Sequence, residues 1–393
     1  MSWDIASLFS DDTGEDRRFR AEVREWVAAN LPRDLCHRRD RIQPPELKPW
    51  HRKLFERGWI APHWPRDYGG MGASLTQQII LFEEIVRTGA PTPYPHGLNF
   101  IGPIIIAAGT EEQKKRFLPG ILSGEATWCQ GYSEAGAGSD LASLQTRATL
   151  DGDHFTVNGH KMWTTNGHYA DWMFALVRTD PEAKPRHAGI TMLLIDMHSP
   201  GLTVRPIQTL KGDAEFAEEF FDDVRVPKAN MLGGLNQGWR IAGMVLGGER
   251  FTTGHPRYAL VYLQQARDLA KRTGAWDDPG FRDRLTGLEI DLLAFLAYYR
   301  HAAKLHAGKA LPLSSAPVIK IAGGTLAQRS ADLLVQAAGE AGASADDIML
   351  ASGAVNVAGE MFEMRRVSVG SGTTEINRNI ISKRVLGLPD AER

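Results

Sequence analysis

Two neighbouring stretches concentrate the residues that can do chemistry. Trp128–Ala148 (WCQGYSEAGAGSDLASLQTRA) is rich in small and hydroxylated residues, and Val157–Trp172 (VNGHKMWTTNGHYADW) sets Trp163, Thr164 and Thr165 between two Asn-Gly pairs. Gly136-Ala137-Gly138-Ser139 offers backbone N–H donors with little side-chain bulk, which suits close approach to a diphosphate. The same four residues also suit a plain tight turn. No Walker lysine follows them, and no strand–GxGxxG–helix unit surrounds them. Trp163 alone reads as a core or hairpin aromatic before a ring-stacking partner. A third stretch, Gly247-Gly248-Glu249-Arg250, sets a carboxylate among glycines. Glu249 has the chemistry of a general base, or of a surface partner for Arg250. Gly247, Gly248 and Gly254 each cost roughly 1 kcal/mol against Ala inside a helix, and would leave room for a bulky group. Asp140 reads as a structural acid of its loop. His160, His168 and His255 stand alone, and no His, Asp or Glu group has metal-ligand spacing.

The elements that must position these residues fall into three parts. To about residue 125 the pattern is helical: Phe19, Val23, Trp26 and Val27 share one face of Glu15–Asn30, and Gln77–Val86 continues the theme. Thr110-Glu111-Glu112-Gln113 is a capping box opening a helix that Pro119-Gly120 should end. From about 126 to 235, short runs rich in Thr, Val, Phe and Ile alternate with turn residues. Ala148–Leu150, Phe155–Val157, Trp172–Val177, Ile190–Asp196, Leu202–Ile207 and Glu219–Val226 read as strands, with Asp151-Gly152 and Asn158-Gly159 as hairpin turns. A small β-barrel or sandwich is expected. From about 236 the chain is helical again, in Trp239–Leu246, Tyr258–Arg272, Phe281–Ala307, Ala316–Ala337 and Asn377–Val385, broken at Gly274, Gly280 and Gly339. The expected fold is α+β: helical domain 1–125, β-domain 126–235, helical bundle 236–393. Strands do not alternate with helices, which excludes a Rossmann unit.

Bulk properties agree with a soluble enzyme. The chain has 393 residues, net charge −2 and 43% hydrophobic residues, so two or three domains are expected and nothing electrostatic points to nucleic acid or a membrane surface. The apolar runs Ile104–Ala108 and Ile290–Tyr299 are too short to span a bilayer. Asp4, Asp11, Asp12 and Glu15 precede any basic cluster, unlike a targeting peptide, so a cytoplasmic location is expected. Cys36 and Cys129 support neither a disulfide framework nor a thiolate metal site.

Together the 128–148 and 157–172 stretches resemble the flavin-binding signature of the acyl-CoA dehydrogenases, and the resemblance extends over nearly the whole chain. It implies FAD as cofactor and a C-terminal four-helix bundle. It implies that Gln130, Tyr132 and Ser133 approach the isoalloxazine edge, and that Gly138 and Ser139 reach the diphosphate, Ser139 also bordering the substrate. Trp163 would pack on the ring and Thr165 would bond the N5 locus. Ala135 replaces the family's usual Pro. Arg365–Gly387 (RRVSVGSGTTEINRNIISKRVLG) resembles the family's last helices, where a GTxE segment meets the ADP half; this carries over to Gly372, Thr373 and Glu375. Gln336 and Gly339 fall where the family contacts a neighbouring subunit's flavin diphosphate. Arg272 stands where an Arg-x-x-Phe-Gly segment is common, but the Phe is missing.

Desaturating a thioester requires a carboxylate at a weakly acidic α-proton. Most of the family places a Glu immediately before the Gly-Thr pair; here that position is Ser371. A minority supplies the Glu from an earlier helix, directly before an Arg, which corresponds to Glu249 and Arg250. The resemblance then implies backbone N–H groups of Ser371 or Gly372 on the thioester carbonyl, Arg250 at the substrate, and electron-transfer flavoprotein as acceptor. Tyr94–Leu98 and Gly102–Ile104 resemble the acyl-pocket wall and suggest an irregular helix. The partners implied are an acyl-CoA and either further copies of the chain or a homologous second subunit, as in relatives acting on steroid side chains or dicarboxylates. A non-catalytic subunit and a nitroalkane-oxidase-like flavin oxidase, whose Asp would stand at Ser371, are the competing readings.

Overall fold

The computed structural model describes residues 12–36, 42–307, 315–350 and 353–389, of which 246–252, 303–304 and 306–307 are described as backbone only. The N-terminal part comprises α1 (Gly14–Asn30), α2 (Pro44–Glu56), α3 (Leu75–Arg87), α4 (Gly102–Ala108) and α5 (Glu111–Ser123). Thr13, Ser74 and Thr110 start α1, α3 and α5 with reciprocal capping boxes. The expected stop at Pro119-Gly120 does not occur. Pro119 lies inside α5, which ends at Gly124 with φ 77°. Burial of Phe117, Leu118, Ile121 and Leu122 across the proline outweighs its cost of about 3 kcal/mol. The irregular helix expected around residues 94–104 is a π-helical turn, His96–Ile101, running into α4. Trp64 Nε1 donates to the Leu98 carbonyl across it at 2.7 Å.

The central strands are β1 (Trp128–Gly131), β2 (Arg147–Asp151), β3 (His154–Thr165), β4 (Trp172–Arg178), β5 (Ile190–Asp196), β6 (Leu202–Ile207), β7 (Phe216–Pro227) and β8 (Met231–Leu232). Their order is β6-β7-β3-β2-β4-β5-β8, with β1 pairing parallel to β4. The β2–β4 step rests on the single pair Arg147–Arg178. The described strands do not close into a barrel; they fold over as a sandwich. Ala148, Phe155, Val157, Val224 and Val226 from one half meet Met173, Ala175, Val177, Leu193 and Ile195 from the other. The opposite faces of β4 and β5, through Phe174, Leu176, Met192 and Leu194, join the N-terminal helical core and Ile241 and Val245. Both faces being covered explains why Trp172–Arg178 and Ile190–Asp196 are continuous apolar runs. Asp151-Gly152 is a hairpin turn as expected, with Asp151 opposite His154. Asn158-Gly159 is not: it lies within β3, where a bulge between Val157 and Gly159 absorbs it. Gly159 sits at φ 152°, 2.6 Å from Thr146 by the position its Cβ would take, so a close approach rather than a turn requires it.

The C-terminal part contains α6 (Gly238–Thr253), α7 (Arg257–Thr273), α8 (Pro279–Ala307) and α9 (Ser315–Ala338). A short hairpin follows, β9 (Ile348–Leu350) with β10 (Gly353–Val355), and then α10 (Val357–Arg365) and α11 (Thr374–Arg384). Gly274 ends α7 with φ 84° and Gly339 leaves α9 with φ 58°. Gly280 does not break a helix; it lies in the first turn of α8, its N–H bonded to Asp278 at 2.8 Å. Among the described residues no helix is long and apolar enough to cross a membrane.

The exit of α6 is fixed against α9 by glycine. A Cβ on Gly323 would lie 2.1 Å from the Gly254 carbonyl oxygen, whereas one on Gly287 in α8 would meet nothing within 4 Å. Gly323→Ala is expected to cost about 1–3 kcal/mol by overpacking, and Gly287→Ala to gain about 0.5–1 kcal/mol from helix propensity. Urea unfolding of the two variants beside the parent checks both signs.

Candidate functional site

The Trp163 turn is built on a buried ion pair. Lys161 is fully buried, and its Nζ donates to Glu134 Oε1 at 2.8 Å and to the Tyr132 carbonyl at 3.0 Å. Burial lowers Lys161 to about 8, with Glu134 resisting. Burial raises Glu134, but Lys161 and backbone donors outweigh it and hold the carboxyl below its ordinary value. The Met162 N–H donates to the Ser133 carbonyl at 3.0 Å. Tyr132 and Ser133 are thereby seated on β3 directly beside Trp163, with Gln130 at the end of β1 leading into them.

Beyond Ser133 the chain turns tightly. Glu134 and Ala137 exchange backbone hydrogen bonds at 3.1 Å, making Ala135-Gly136 a two-residue turn. Glu134 also accepts from Gln145 N (2.6 Å) and Thr146 N (2.9 Å), closing the base of the loop. Arg178 reaches under it to the Ala142 carbonyl at 2.6 Å. Gly136, Gly138 and Ser139 are left exposed at its tip, and a Cβ on either glycine would meet nothing within 4 Å. This open, side-chain-poor rim fits a diphosphate.

At the end of β3 a second bulge, between Met162 and Thr164, throws Trp163 out of the ladder with φ 63° and leaves it 55% exposed. A bulky residue in the left-handed region is strained, and bulges commonly re-aim side chains at sites. Its ring touches Phe216 edge-on at 5.9 Å. Thr164 is buried and donates to Glu219 Oε2 at 2.7 Å, while Thr165 is half-buried opposite Phe216. Asn166-Gly167 then turns, the Asn166 N–H donating to the Glu215 carbonyl at 2.9 Å. The Glu215 carboxylate meets Arg366 Nε at 3.3 Å, and Arg366 also binds Glu363. Thus the Trp163 turn is tied to the C-terminal helices at Arg366, the residue that directly follows α10 on the way to Ser371.

Ser371, like Trp163 and Asn166, is a non-glycine residue in the left-handed region, with φ 58°, followed by Gly372 at φ 84°. Asn377, fully buried, donates Nδ2 to the Gly372 and Thr373 carbonyls at 2.8 and 2.9 Å. The Thr373 hydroxyl caps α11 by accepting from Ile376 N, and Glu375 stands exposed in the first turn. The end of α6 comes to this turn: the hydroxyls of Thr253 and Ser371 are 2.7 Å apart. Glu249 and Arg250 lie on α6, but their side chains are outside the described residues.

Arg272, Gln336 and Gly339 gather elsewhere, at one end of the bundle. Arg272 is exposed and donates to the Met349 carbonyl, and Thr273 Oγ1 donates to the Ala337 carbonyl at 2.8 Å. Gln336 and Gly339 are exposed beside them. His255 is structural: half-buried and packed between Phe82 and Tyr299, it accepts the Arg257 N–H at 3.0 Å and is pushed down to about 3 by desolvation. His160 stacks on Phe220 at 4.2 Å and meets Glu218 at 3.1 Å.

Sequence reasoning passed over Lys161, Glu134, Thr253, Arg366 and Glu219. A signal existed for some: Lys161 falls on the inward parity of β3, and Thr253 lies four residues after Glu249.

The α–β–α order of the chain agrees with the three domains of one enzyme family. The acyl-CoA dehydrogenase N-terminal, middle and C-terminal domain models match residues 13–125, 129–224 and 236–386. The chain belongs to the acyl-CoA dehydrogenase family and is an oxidoreductase of that kind. It is 37% identical to acyl-CoA dehydrogenase IpdE1 of Mycobacterium tuberculosis over 390 residues, covering 94% of this chain and 97% of the relative. It is 35% identical to acyl-CoA dehydrogenase FadE26 of the same organism, covering 86% of each. Among solved structures it resembles the Tcur3481-Tcur3483 steroid ACAD (TM-score 0.84, 29% identity, 96% of this chain and 99% of that chain). It also resembles the ChsE4-ChsE5 complex from Mycobacterium tuberculosis (TM-score 0.82, 30% identity, 96% and 99%).

Removing one member of a buried ion pair strands the other. Lys161→Met is expected to cost about 3–5 kcal/mol, read as a lowered urea midpoint with an unchanged slope.

Proposed function

We propose that this chain carries out the α,β-dehydrogenation of an acyl-CoA thioester, with FAD as cofactor and electron-transfer flavoprotein as acceptor. Bound FAD would supply a two-electron acceptor for the hydride leaving the β-carbon. Gly138 and Ser139 would hold its diphosphate, Gln130, Tyr132 and Ser133 the ring edge, and Thr373 and Glu375, at the N-terminus of α11, the ADP half. Trp163 would cover the ring face and exclude water, and Thr165 would donate at the N5 locus. The exposed, left-handed Trp163 beside an open glycine rim supports this fit.

Glu249 would remove the α-proton. The observation that carries this assignment is the 2.7 Å contact between Thr253 and Ser371. It seats the 371–372 turn against the last turn of α6, and Glu249 stands four residues before Thr253, on the same helical face. Ser371 itself carries no carboxylate. The N–H groups of Ser371 and Gly372 would polarise the thioester carbonyl, with Ser139 and Arg250 bordering the substrate.

Arg272, Gln336 and Gly339, grouped at one bundle end, would serve a flavin held by an adjoining subunit. That subunit is a second copy or a homologous partner. The paired chains named in the Tcur3481-Tcur3483 and ChsE4-ChsE5 structures favour a partner, and the word steroid in the first favours a bulky acyl group. We place the protein in the cytoplasm on the same family grounds.

The chain expressed alone should show flavin absorbance near one FAD per chain if the homomeric site is complete; a colourless chain would assign the missing contacts to a partner. With flavin bound, Glu249→Gln should keep the spectrum and lower kcat by several orders of magnitude. Retained turnover would refute Glu249 as base.

A further inference from the structure

Behind the Trp163 turn lies a sealed acid that the proposed chemistry does not use. Glu219, on β7, is fully buried directly across the ladder from Lys161. Its Oε2 takes the Thr164 hydroxyl, whereas Oε1 has no hydrogen-bond partner among the described residues. The turn closes over that oxygen at Gly167, where a Cβ would lie 2.2 Å from Oε1. The surrounding charges are few. Lys161 comes from β3, with Glu134 already bonded to it and Arg178 adding positive charge beyond. Glu218, beside Glu219 on β7, is turned to His160, and β1 contributes the buried Cys129 thiol, pushed well up by burial and by Glu219. Two carboxyls therefore share one ammonium in a region without water access, and Glu134 takes it with backbone donors besides. Holding a proton on Glu219 leaves the contacting Lys161–Glu134 pair balanced.

We propose that Glu219 is a protonated positioning residue that anchors Thr164 and, through it, couples one buried proton to the redox state of a flavin lying against Trp163 and Thr165. The coupling rests on the flavin-binding reading above; the protonation does not. Burial pushes this carboxyl up to about 8, Thr164 and Lys161 resisting and Glu218 adding to the rise. Negative charge gained by the cofactor would raise the proton's affinity further. By reciprocity, loss of the proton would make the cofactor harder to reduce.

The sign of the stability effect is set by the same shift. A carboxyl raised from 4.5 to about 8 favours the folded chain fully below 4.5, and loses that contribution as pH rises to 8. Glu219→Gln keeps the acceptor for Thr164 without a titrating group. Melting temperatures of parent and variant should therefore diverge between pH 5 and 8, the parent falling relative to Glu219→Gln. Parallel curves, or the opposite divergence, would overturn the protonated state. Should the variant not fold, infrared spectra of the parent carrying labelled glutamate decide the matter: a protonated carboxyl band must persist at pH 7 and fade above pH 8. Potentiometry of the bound flavin tests the coupling. The parent should show an added fall in potential with pH near 8 that Glu219→Gln lacks, and identical slopes would overturn it. A chain that binds no flavin in any assembly would fail the functional reading and the coupling together, while the melting comparison would still decide the carboxyl.

Discussion

The ammonium of Lys161 has no route to water, and much of the site's architecture follows from satisfying it. A buried cation is tolerated only with an acid and further acceptors around it. Glu134 supplies the acid and Tyr132 a carbonyl. Because the second oxygen of Glu134 is spent on Gln145 N, the same carboxylate also closes the glycine-rich loop from below. One side chain on β3 thus sets three things: the seating of Tyr132–Ser133, the base of the 136–144 loop, and the register from which the bulge at Met162 ejects Trp163. A hydrophobic residue at 161 would pack as well but would specify none of these.

Trp163 and Ser371, two of the non-glycine residues in the left-handed region, mark the β-domain and helical sides of the site. Each costs on the order of 1–3 kcal/mol, so the surroundings must enforce it. At Trp163 the enforcement is the pairing on both sides of the bulge, together with Thr164 locked to Glu219. At Ser371 it is Asn377, which holds the two following carbonyls, and Thr253, which holds the hydroxyl. The Glu215–Arg366 contact joins the two sides. The strain is therefore distributed over a connected frame, and neither turn is free to relax alone.

Much of this frame was legible in the sequence because it rests on local rules. Capping residues, alternation and apolar runs located β2 to β7 and the long helices, but not the short strands β1, β8, β9 and β10, nor the continuation of β3 to Thr165. What escaped was non-local. Asn158-Gly159 has the composition of a hairpin, yet pairing with β7 on one side and Thr146 on the other keeps it in a strand. Pro119 should stop a helix, yet burial on both sides carries α5 through. Helix α2, begun by two prolines, was passed over although Leu47, Trp50 and Leu54 recur at helical spacing on its buried face, whereas α10 has no clear apolar stripe. At the site, glycines, Trp163 and Thr165 were visible as types in order. Lys161 was not, since nothing short of the fold reveals that its partner is Glu134 rather than water.

Ser371 shows how a substitution at one position constrains another. An acid at 371 would bring a second carboxylate to the turn that Thr253 contacts. If Glu249 is the base, two like charges would then share one dry pocket and drive one pKa far upward. A serine there leaves a neutral hydroxyl pair, Ser371 with Thr253, in place of that repulsion. The pair needs no counter-ion and donates or accepts according to what lies beside it. It also bridges the last turn of α6, just before Gly254, and the turn at Gly372. A serine at the commoner base position therefore fits the proposed base on α6, with Ser371 bonded to the last turn of that helix through Thr253.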